Sequence, residues 1–135
     1  MTRHVTLCAV GIAALSLAAL AAQQAAVVTG DHSTPLRAVA AAGNVGISNA
    51  VLRDQDDIRV IRVVVEPGGK RITHEHTDVK FHLFIPVTSA MVLDLDGAPS
   101  VNVPAWQPYY MKKGTKHGFH NPGTAPVEIM EVFVK

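Results

Sequence analysis

The sequence predicts a small all-β protein of the sandwich or barrel class. From residue 45 onward, the apolar residues form about nine short runs that are rich in Val and Ile. Turn residues such as Gly, Pro and Asp separate these runs about every 8–12 residues, which is typical of sandwiches and barrels. No run beyond the N-terminal segment keeps a helical period of apolar residues, and no internal repeat is present.

The first 22 residues are typical of a signal peptide. A short basic start at Arg3 precedes an uncharged, Ala- and Leu-rich run, and small residues at Ala19 and Ala21 suit a cleavage site. The run is also about long enough to span a bilayer, so an uncleaved membrane anchor is the alternative. We therefore expect a secreted or periplasmic protein that has no membrane segment once the signal is cleaved.

The mature chain is expected to form one domain, residues 45–135, after a flexible leader at residues 23–44 that is rich in Ala, Gly, Thr and Ser. The leader is predicted to contribute one edge strand near Leu36–Ala40. Without Arg3 the chain has 11 basic and 11 acidic residues, and their scatter does not indicate a nucleic-acid partner. The single cysteine, Cys8, lies in the signal segment, which excludes disulfides and thiol catalysis in a mature chain.

Alternation of apolar and polar residues places the strands of the domain. A polar turn is predicted at Arg53–Asp57 and another at Glu66–Lys70. The core is predicted to contain Phe81, Leu83, Phe84, Met91, Met111, Phe119, Met130 and Phe133. The predicted strands are Ile47–Leu52, Ile58–Val65, Ile72–His76, Lys80–Val87, Met91–Leu95, Val101–Val103, Tyr109–Met111, His117–Asn121 and Val127–Val134.

Two histidine clusters are the most informative polar feature of this domain. His74 and His76 are two residues apart, and on a strand such side chains point to the same face. His117 lies on a later strand, just after a Lys-Lys-Gly turn. Three neutral imidazoles from two strands can converge on one metal ion inside a barrel. The alternative is a pair of exposed histidines on an edge strand.

At these residues the sequence resembles the cupin family of small jelly-roll β-barrels. The spacing of the two cupin motifs is matched by Gly68, His74, His76, Gly114, His117 and Asn121. The carboxylate of the first motif falls on Lys80, its closing glycine falls on Val87, and the proline of the second motif falls on Lys112. The resemblance covers residues 45–135 and predicts a cupin-type jelly-roll barrel.

The resemblance implies that His74, His76 and His117 bind a divalent transition metal, namely Fe, Mn, Ni, Zn or Cu. It also implies a small-molecule substrate or ligand at the open end of the barrel and a homodimer formed through edge strands. Activities in the superfamily include dioxygenases, isomerases, decarboxylases and lyases, so the fold does not specify a reaction.

Lys80 leaves three alternatives open. It can point away from a three-histidine site, lose its proton through burial and act as a base or nucleophile, or replace the metal as the cation that holds an anion. His82 is two residues further on and shares the face of Lys80 if the strand is regular, so it is a candidate fourth ligand. Glu128 and Glu131 lie on opposite faces of the last strand, and either can restore the carboxylate.

Three functions are compatible with this set of residues. The first is a secreted metal-dependent enzyme with dioxygenase-, isomerase- or lyase-type chemistry on a small polar or anionic molecule, in which Lys80 or His82 orients an anion or moves a proton. The second is a non-catalytic cupin that binds a small molecule, in which Lys80 takes the place of the carboxylate at the metal site. A structural, storage-like cupin with a relic site is the third alternative.

Overall fold

The computed structural model describes residues 34–135, which form nine β-strands and no helix. The predicted signal peptide, residues 1–22, and the first part of the leader lie outside the described residues. Within the described part of the chain, no helix is long and apolar enough to cross a membrane. The strands are β1 (Arg37–Ala38), β2 (Val45–Asp54), β3 (Ile58–His74), β4 (Phe81–Pro86), β5 (Met91–Leu95), β6 (Val101–Val103), β7 (Tyr109–Lys112), β8 (His117–His120) and β9 (Val127–Val134).

The strands form one antiparallel sheet that rolls into a jelly-roll barrel, as the sequence predicts. The order along the sheet is β6-β5-β8-β3-β9-β4-β7, and β2 pairs with both β3 and β1. The long strand β3 joins the two halves of the barrel. Its first part, from Ile58 to Val65, pairs with β9, whereas its last part, from Lys70 to His74, pairs with β8.

The predicted turn at Glu66–Lys70 is wrong, because β3 continues through this segment as a bent strand. Gly68 has a φ of +71°, a value that side chains disfavour, and this glycine allows the bend. A Cβ on Gly69 would lie 2.7 Å from the Glu66 carbonyl oxygen, so a larger residue does not fit there. The side-chain amide of Asn121 donates to the carbonyls of Val65 (3.0 Å) and Glu66 (3.3 Å) and thereby ties the bend to the end of β8.

Side-chain alternation on β4 and β9 explains the core. On β4, His82 and Phe84 point inward and are buried, whereas Phe81 and Leu83 are only half-buried on the outer face, contrary to their predicted place in the core. Met130 is half-buried for the same reason on β9. The buried core cluster contains Ile47, Val63, Val65, Phe84, Met91, Leu93, Val103, Met111, Phe119, Val127 and Ile129.

Candidate metal centre

Four imidazole rings meet inside one end of the barrel. His74 ends β3 and lies opposite His117 on β8, and their ring centroids are 4.4 Å apart. His76 lies just beyond β3, and its ring is 5.0 Å from that of His74. His82 reaches the same place from β4, with its ring 4.8 Å from His117 and 5.0 Å from His76. The structure thus brings together the three predicted ligands and His82, the predicted candidate for a fourth.

Backbone carbonyls orient two of these rings. Nδ1 of His74 lies 3.0 Å from the carbonyl oxygen of Ile72, and Nδ1 of His117 lies 2.8 Å from that of Thr115. A carbonyl oxygen only accepts hydrogen bonds, so Nδ1 carries the proton in both rings. In the neutral rings, Nε2 therefore presents a free lone pair, which is the arrangement found in histidines that bind metals.

The site keeps these histidines neutral. Burial lowers the pKa of His74 and of His76 to about 4, and the nearby His117 adds to the effect in both cases. Burial, followed by the neighbouring imidazoles, lowers the pKa of His82 to about 3. The pKa of His117 is also lowered by burial. All four rings are thus uncharged at neutral pH, which is the state that a metal ion requires of them.

Glu131 is the glutamate of β9 that points inward. Burial alternates strictly along this strand, which places Glu131 in the interior at 4% exposure and Glu128 on the outer face. Glu128 accepts hydrogen bonds from Arg62 at 2.6 and 3.0 Å, and this ion pair holds it outside the barrel. Burial raises the pKa of the Glu131 carboxyl to about 7, against the opposing effect of Arg71.

The donor atoms form two groups that share His117. Ligand atoms of His74, His76 and His117 lie within 4.8 Å of one another, and so do those of His82, His117 and Glu131. Nε2 of His76, both ring nitrogens of His82, Nε2 of His117 and Oε1 of Glu131 are buried without a hydrogen-bond partner. Each such atom costs about 1–3 kcal/mol, a cost that a bound cation would remove. These residues therefore fit a divalent transition metal, which prefers imidazole and carboxylate donors.

Lys80 is not brought to the histidines. It is exposed, and it does not line the cavity that contains His74 and His76. Strand β4 begins only at Phe81, and the two residues before His82 both face outward, so the expected sharing of a face between Lys80 and His82 does not occur. The roles that were predicted for Lys80 beside the metal therefore lack a structural basis.

Arg71 is the charged residue of this site that the sequence analysis missed. It lies three residues before His74, so a regular strand would place the two side chains on opposite faces. However, β3 contains an irregularity between Arg71 and His74, because these residues pair with Phe119 and His117, which are only two residues apart. This β-bulge brings both side chains to the same cavity.

Gly118 makes the bulge possible. It lies on β8 between the partners of Arg71 and His74, and a Cβ at this position would be 2.6 Å from the Arg71 carbonyl oxygen. The backbone nitrogen of Thr73 would be only 3.2 Å away. The bulged strand therefore packs directly against the backbone of β8, a close approach that only glycine permits.

A cavity of about 210 Å³ leads to the histidines. Its polar lining includes Arg59, Arg71 and Lys135, together with Asn49. Arg59 and Lys135 are already paired with Asp54, at 2.9 and 2.6 Å. Arg71 has no ion-pair or hydrogen-bond partner for its guanidinium among residues 34–135. The cavity thus contains one uncommitted cation beside the candidate metal ligands.

Four other residues with polar or aromatic side chains lie away from this centre. On the barrel surface, Nδ1 of His120 forms a hydrogen bond with Oδ2 of Asp94 at 2.8 Å. Glu75 is exposed. Asn121 holds its own turn, since it donates to the Ala125 carbonyl (2.8 Å) and accepts from the Gly123 amide (2.9 Å). Trp106 is 69% exposed. None of these four residues lines the cavity.

Comparison with known proteins shows the fold. No protein-family model matches the sequence, and no curated protein matches it. Among solved structures, the polyketide cyclase RemF from Streptomyces resistomycificus matches with a TM-score of 0.67 and 20% identity over 75% of this chain and 73% of that chain. A predicted oxalate decarboxylase from Thermotoga maritima matches with a TM-score of 0.66 and 19% identity over 75% and 92%.

An RmlC-like cupin from Shewanella frigidimarina also matches, with a TM-score of 0.64 and 13% identity over 78% of this chain and 87% of that chain. Together with the nine-stranded sheet, these similarities show that the chain has the cupin-type jelly-roll fold. The proteins that share this fold have different activities, so the fold alone does not define a substrate.

Proposed function

We propose that this protein is a metal-dependent cupin enzyme that acts on a small anionic molecule. His74, His76 and His117 would bind a divalent transition metal, namely Fe, Mn, Ni, Zn or Cu. The imidazole of His82, which lies beside those of His76 and His117, would be available as a further ligand. The observation that carries the proposal is the pair of donor groups that share His117, in which ring nitrogens of His76, His82 and His117 are buried without a hydrogen-bond partner. Secretion or export to the periplasm is part of the proposal and is supported by the sequence of residues 1–22.

The protein residues would bind and orient the substrate. Arg71 is the uncommitted cation of the cavity, and its planar guanidinium can donate two parallel hydrogen bonds to a carboxylate. The cavity volume of about 210 Å³ limits the substrate to a small molecule. When bound, a divalent metal supplies Lewis-acid polarisation of a substrate oxygen. The apolar walls, which include Val63, Phe119 and Phe133, exclude water from that point.

A non-catalytic binding protein is the second candidate. The sequence predicts that Lys80 holds the anion in such a protein, but its exposed position away from the cavity does not support that role. Arg71 could hold an anion without any reaction, so binding and turnover must be measured separately. Metal content together with anion binding tests the site itself, and product analysis then distinguishes an enzyme from a binding protein.

The first test is elemental analysis of protein that is purified without chelator or nickel resin. About one metal ion per chain is expected, and the variant His74→Ala/His117→Ala should lose it. Absence of metal after incubation with Fe(II), Mn, Ni, Zn and Cu would overturn the proposal.

The second test is calorimetric titration with acetate, oxalate and succinate. Arg71→Gln should weaken binding of the preferred carboxylate about 10–100-fold, because a hydrogen bond to a charged group contributes about 1.5–3 kcal/mol. Metal content should stay at the wild-type level in this variant, and Arg71→Lys should restore only part of the affinity because lysine lacks the planar fork. Equal binding by wild type and Arg71→Gln would remove Arg71 from the proposal.

A homodimer formed through an edge strand is also part of the proposal, and β9 is not such a strand. β9 pairs with β3 on one side and β4 on the other, so its backbone is fully used. The outer edge of β2 pairs only with the two-residue β1, and this strand exposes Val45, Val51 and Leu52. Light scattering measures the mass directly, and a value of one chain would exclude the dimer.

A further inference from the structure

The inner group of donor atoms, formed by His82, His117 and Glu131, is the most completely buried polar cluster in the described part of the chain. The three residues are 1%, 0% and 4% exposed, and they come from three different strands. Their ligand atoms lie within 4.8 Å of one another. Three strands therefore deliver two imidazoles and one carboxylate to a single point in the interior.

Nothing in the surrounding protein satisfies these atoms. Both ring nitrogens of His82, Nε2 of His117 and Oε1 of Glu131 have no hydrogen-bond partner. The ring of Phe133 stacks on His82 at 5.1 Å, so an apolar ring and not a hydrogen-bond donor covers His82 on that side. A carboxylate is stable in such a place only when a cation or several hydrogen-bond donors compensate its charge. The three cations that line the cavity, Arg59, Arg71 and Lys135, form no ion pair with it.

The net charge of the site favours Glu131 as a ligand of the metal. Three neutral imidazoles around a divalent ion leave a net charge of about +2, next to the guanidinium of Arg71. The position at which the cupin motif supplies a carboxylate holds Lys80, which is exposed. A ligand from Glu131 would lower the net charge of the centre to about +1 and would pair the only carboxylate in this cluster.

We propose that Glu131 is a ligand of the metal ion and supplies the carboxylate that is missing at position 80. Nε2 of His117 belongs to both donor groups and has one lone pair, so it binds one ion. An ion on His117 therefore adjoins both the outer pair, His74 and His76, and the inner pair, His82 and Glu131. This inference rests on the proposed metal site, and it places the carboxylate ligand on β9, outside both histidine motifs.

The test compares two identical substitutions on the same strand. Glu131→Gln removes the inward carboxylate, and Glu128→Gln removes the outward one that Arg62 holds. Zinc is titrated into metal-free protein and followed by calorimetry, and thermal unfolding is recorded with and without zinc. Glu131→Gln should bind zinc at least tenfold more weakly and should show a smaller rise in Tm on addition of zinc. Glu128→Gln should match wild type in zinc affinity.

Unfolding without metal separates a ligand from a structural residue. Metal-free Glu131→Gln should be about as stable as wild type, because the amide matches the carboxyl in size and the substitution removes only a buried ionisable group. If this variant fails to fold, Glu131→Met, which is uncharged and of similar length, is measured in its place. Zinc affinity within threefold of wild type in the neutral variant overturns the role of Glu131 and leaves the metal site intact. Absence of zinc binding by wild type overturns both proposals.

Discussion

Replacement of Gly118 by alanine tests whether the bulge in β3 positions the site. The new Cβ would lie 2.6 Å from the Arg71 carbonyl oxygen, 3.2 Å from the Thr73 nitrogen and 3.3 Å from the Ile72 carbonyl carbon. All three are backbone atoms, so no side chain can rotate away and the strands must separate. The backbone of Gly118 has no positive φ, and the effect therefore comes from the contact alone.

The expected cost is that of overpacking, about 1–3 kcal/mol. In a domain of this size, each kcal/mol lowers Tm by about 4–8 °C. Zinc affinity should fall as well, because the displaced bulge carries His74. Urea unfolding of metal-free protein measures the first effect, and zinc titration measures the second.

Gly97→Ala is the matched control. Gly97 has a φ of +71° and no atom within 4 Å of a built Cβ, so alanine there costs about 1–2 kcal/mol of backbone strain without any contact near the site. Zinc affinity should not change in this control. If Gly118→Ala unfolds within about 0.5 kcal/mol of wild type and binds zinc equally well, the bulge does not constrain the site as argued.

Three further predictions follow from the site and its supports. Lys80→Glu should leave zinc affinity within about twofold of wild type, because Lys80 is exposed and does not line the cavity; a large gain in affinity would return Lys80 to the site. Asn121→Ala should destabilise the protein by about 2–3 kcal/mol in urea unfolding, since its amide serves three carbonyls, and an unchanged midpoint would contradict this. Metal-free protein should lose stability as the pH falls from 6.5 toward 4. In this range the buried histidines stay unprotonated in the folded state because their pKa values are lowered, whereas they bind protons in the unfolded state. The slope is at most about 1.4 kcal/mol per pH unit for each such histidine. Glu131 acts in the opposite sense, since its raised pKa contributes stability below pH 4.5 that is lost as the pH rises toward 7. The histidines outnumber it, so equal urea midpoints at pH 6.5 and 5 would refute the net direction. The histidines concerned are His74, His76, His82 and His117.

The barrel could be predicted because local residues determine most of its strands. Alternation on β9 and the turn residues around β5 and β6 mark these elements without reference to the rest of the chain. The bend in β3 could not be predicted, since two adjacent glycines also indicate a turn. Contacts that are distant in sequence hold this segment as a strand: the backbone of Asn121 bonds to Gly68 and Gly69 at 3.0 and 2.9 Å, and its side-chain amide donates to Val65.

The site was predictable in its histidines and not in its charges. The positions of His74, His76 and His117 follow from spacing, but Arg71 joins them only through a bulge that has no local marker. Alternation places Glu128 and Glu131 on opposite faces, but it does not say which is inward. In the structure, Glu128 faces outward, where it forms an ion pair with Arg62 across β3 and β9, and Glu131 therefore faces inward.

The pairing of β3 with β9 along its first part and with β8 along its last part also has a kinetic consequence. The site combines the segment of β3 and β4 with β8 and β9, which are far from it along the chain, so it is assembled only when the sheet closes. Pairings over long sequence separations form slowly, because the loop entropy is lost before the contacts are gained. Before closure, only His74, His76 and His82 are close in sequence, and His117 and Glu131 join them when the sheet closes. A metal ion should therefore slow unfolding of the barrel and leave its folding rate nearly unchanged.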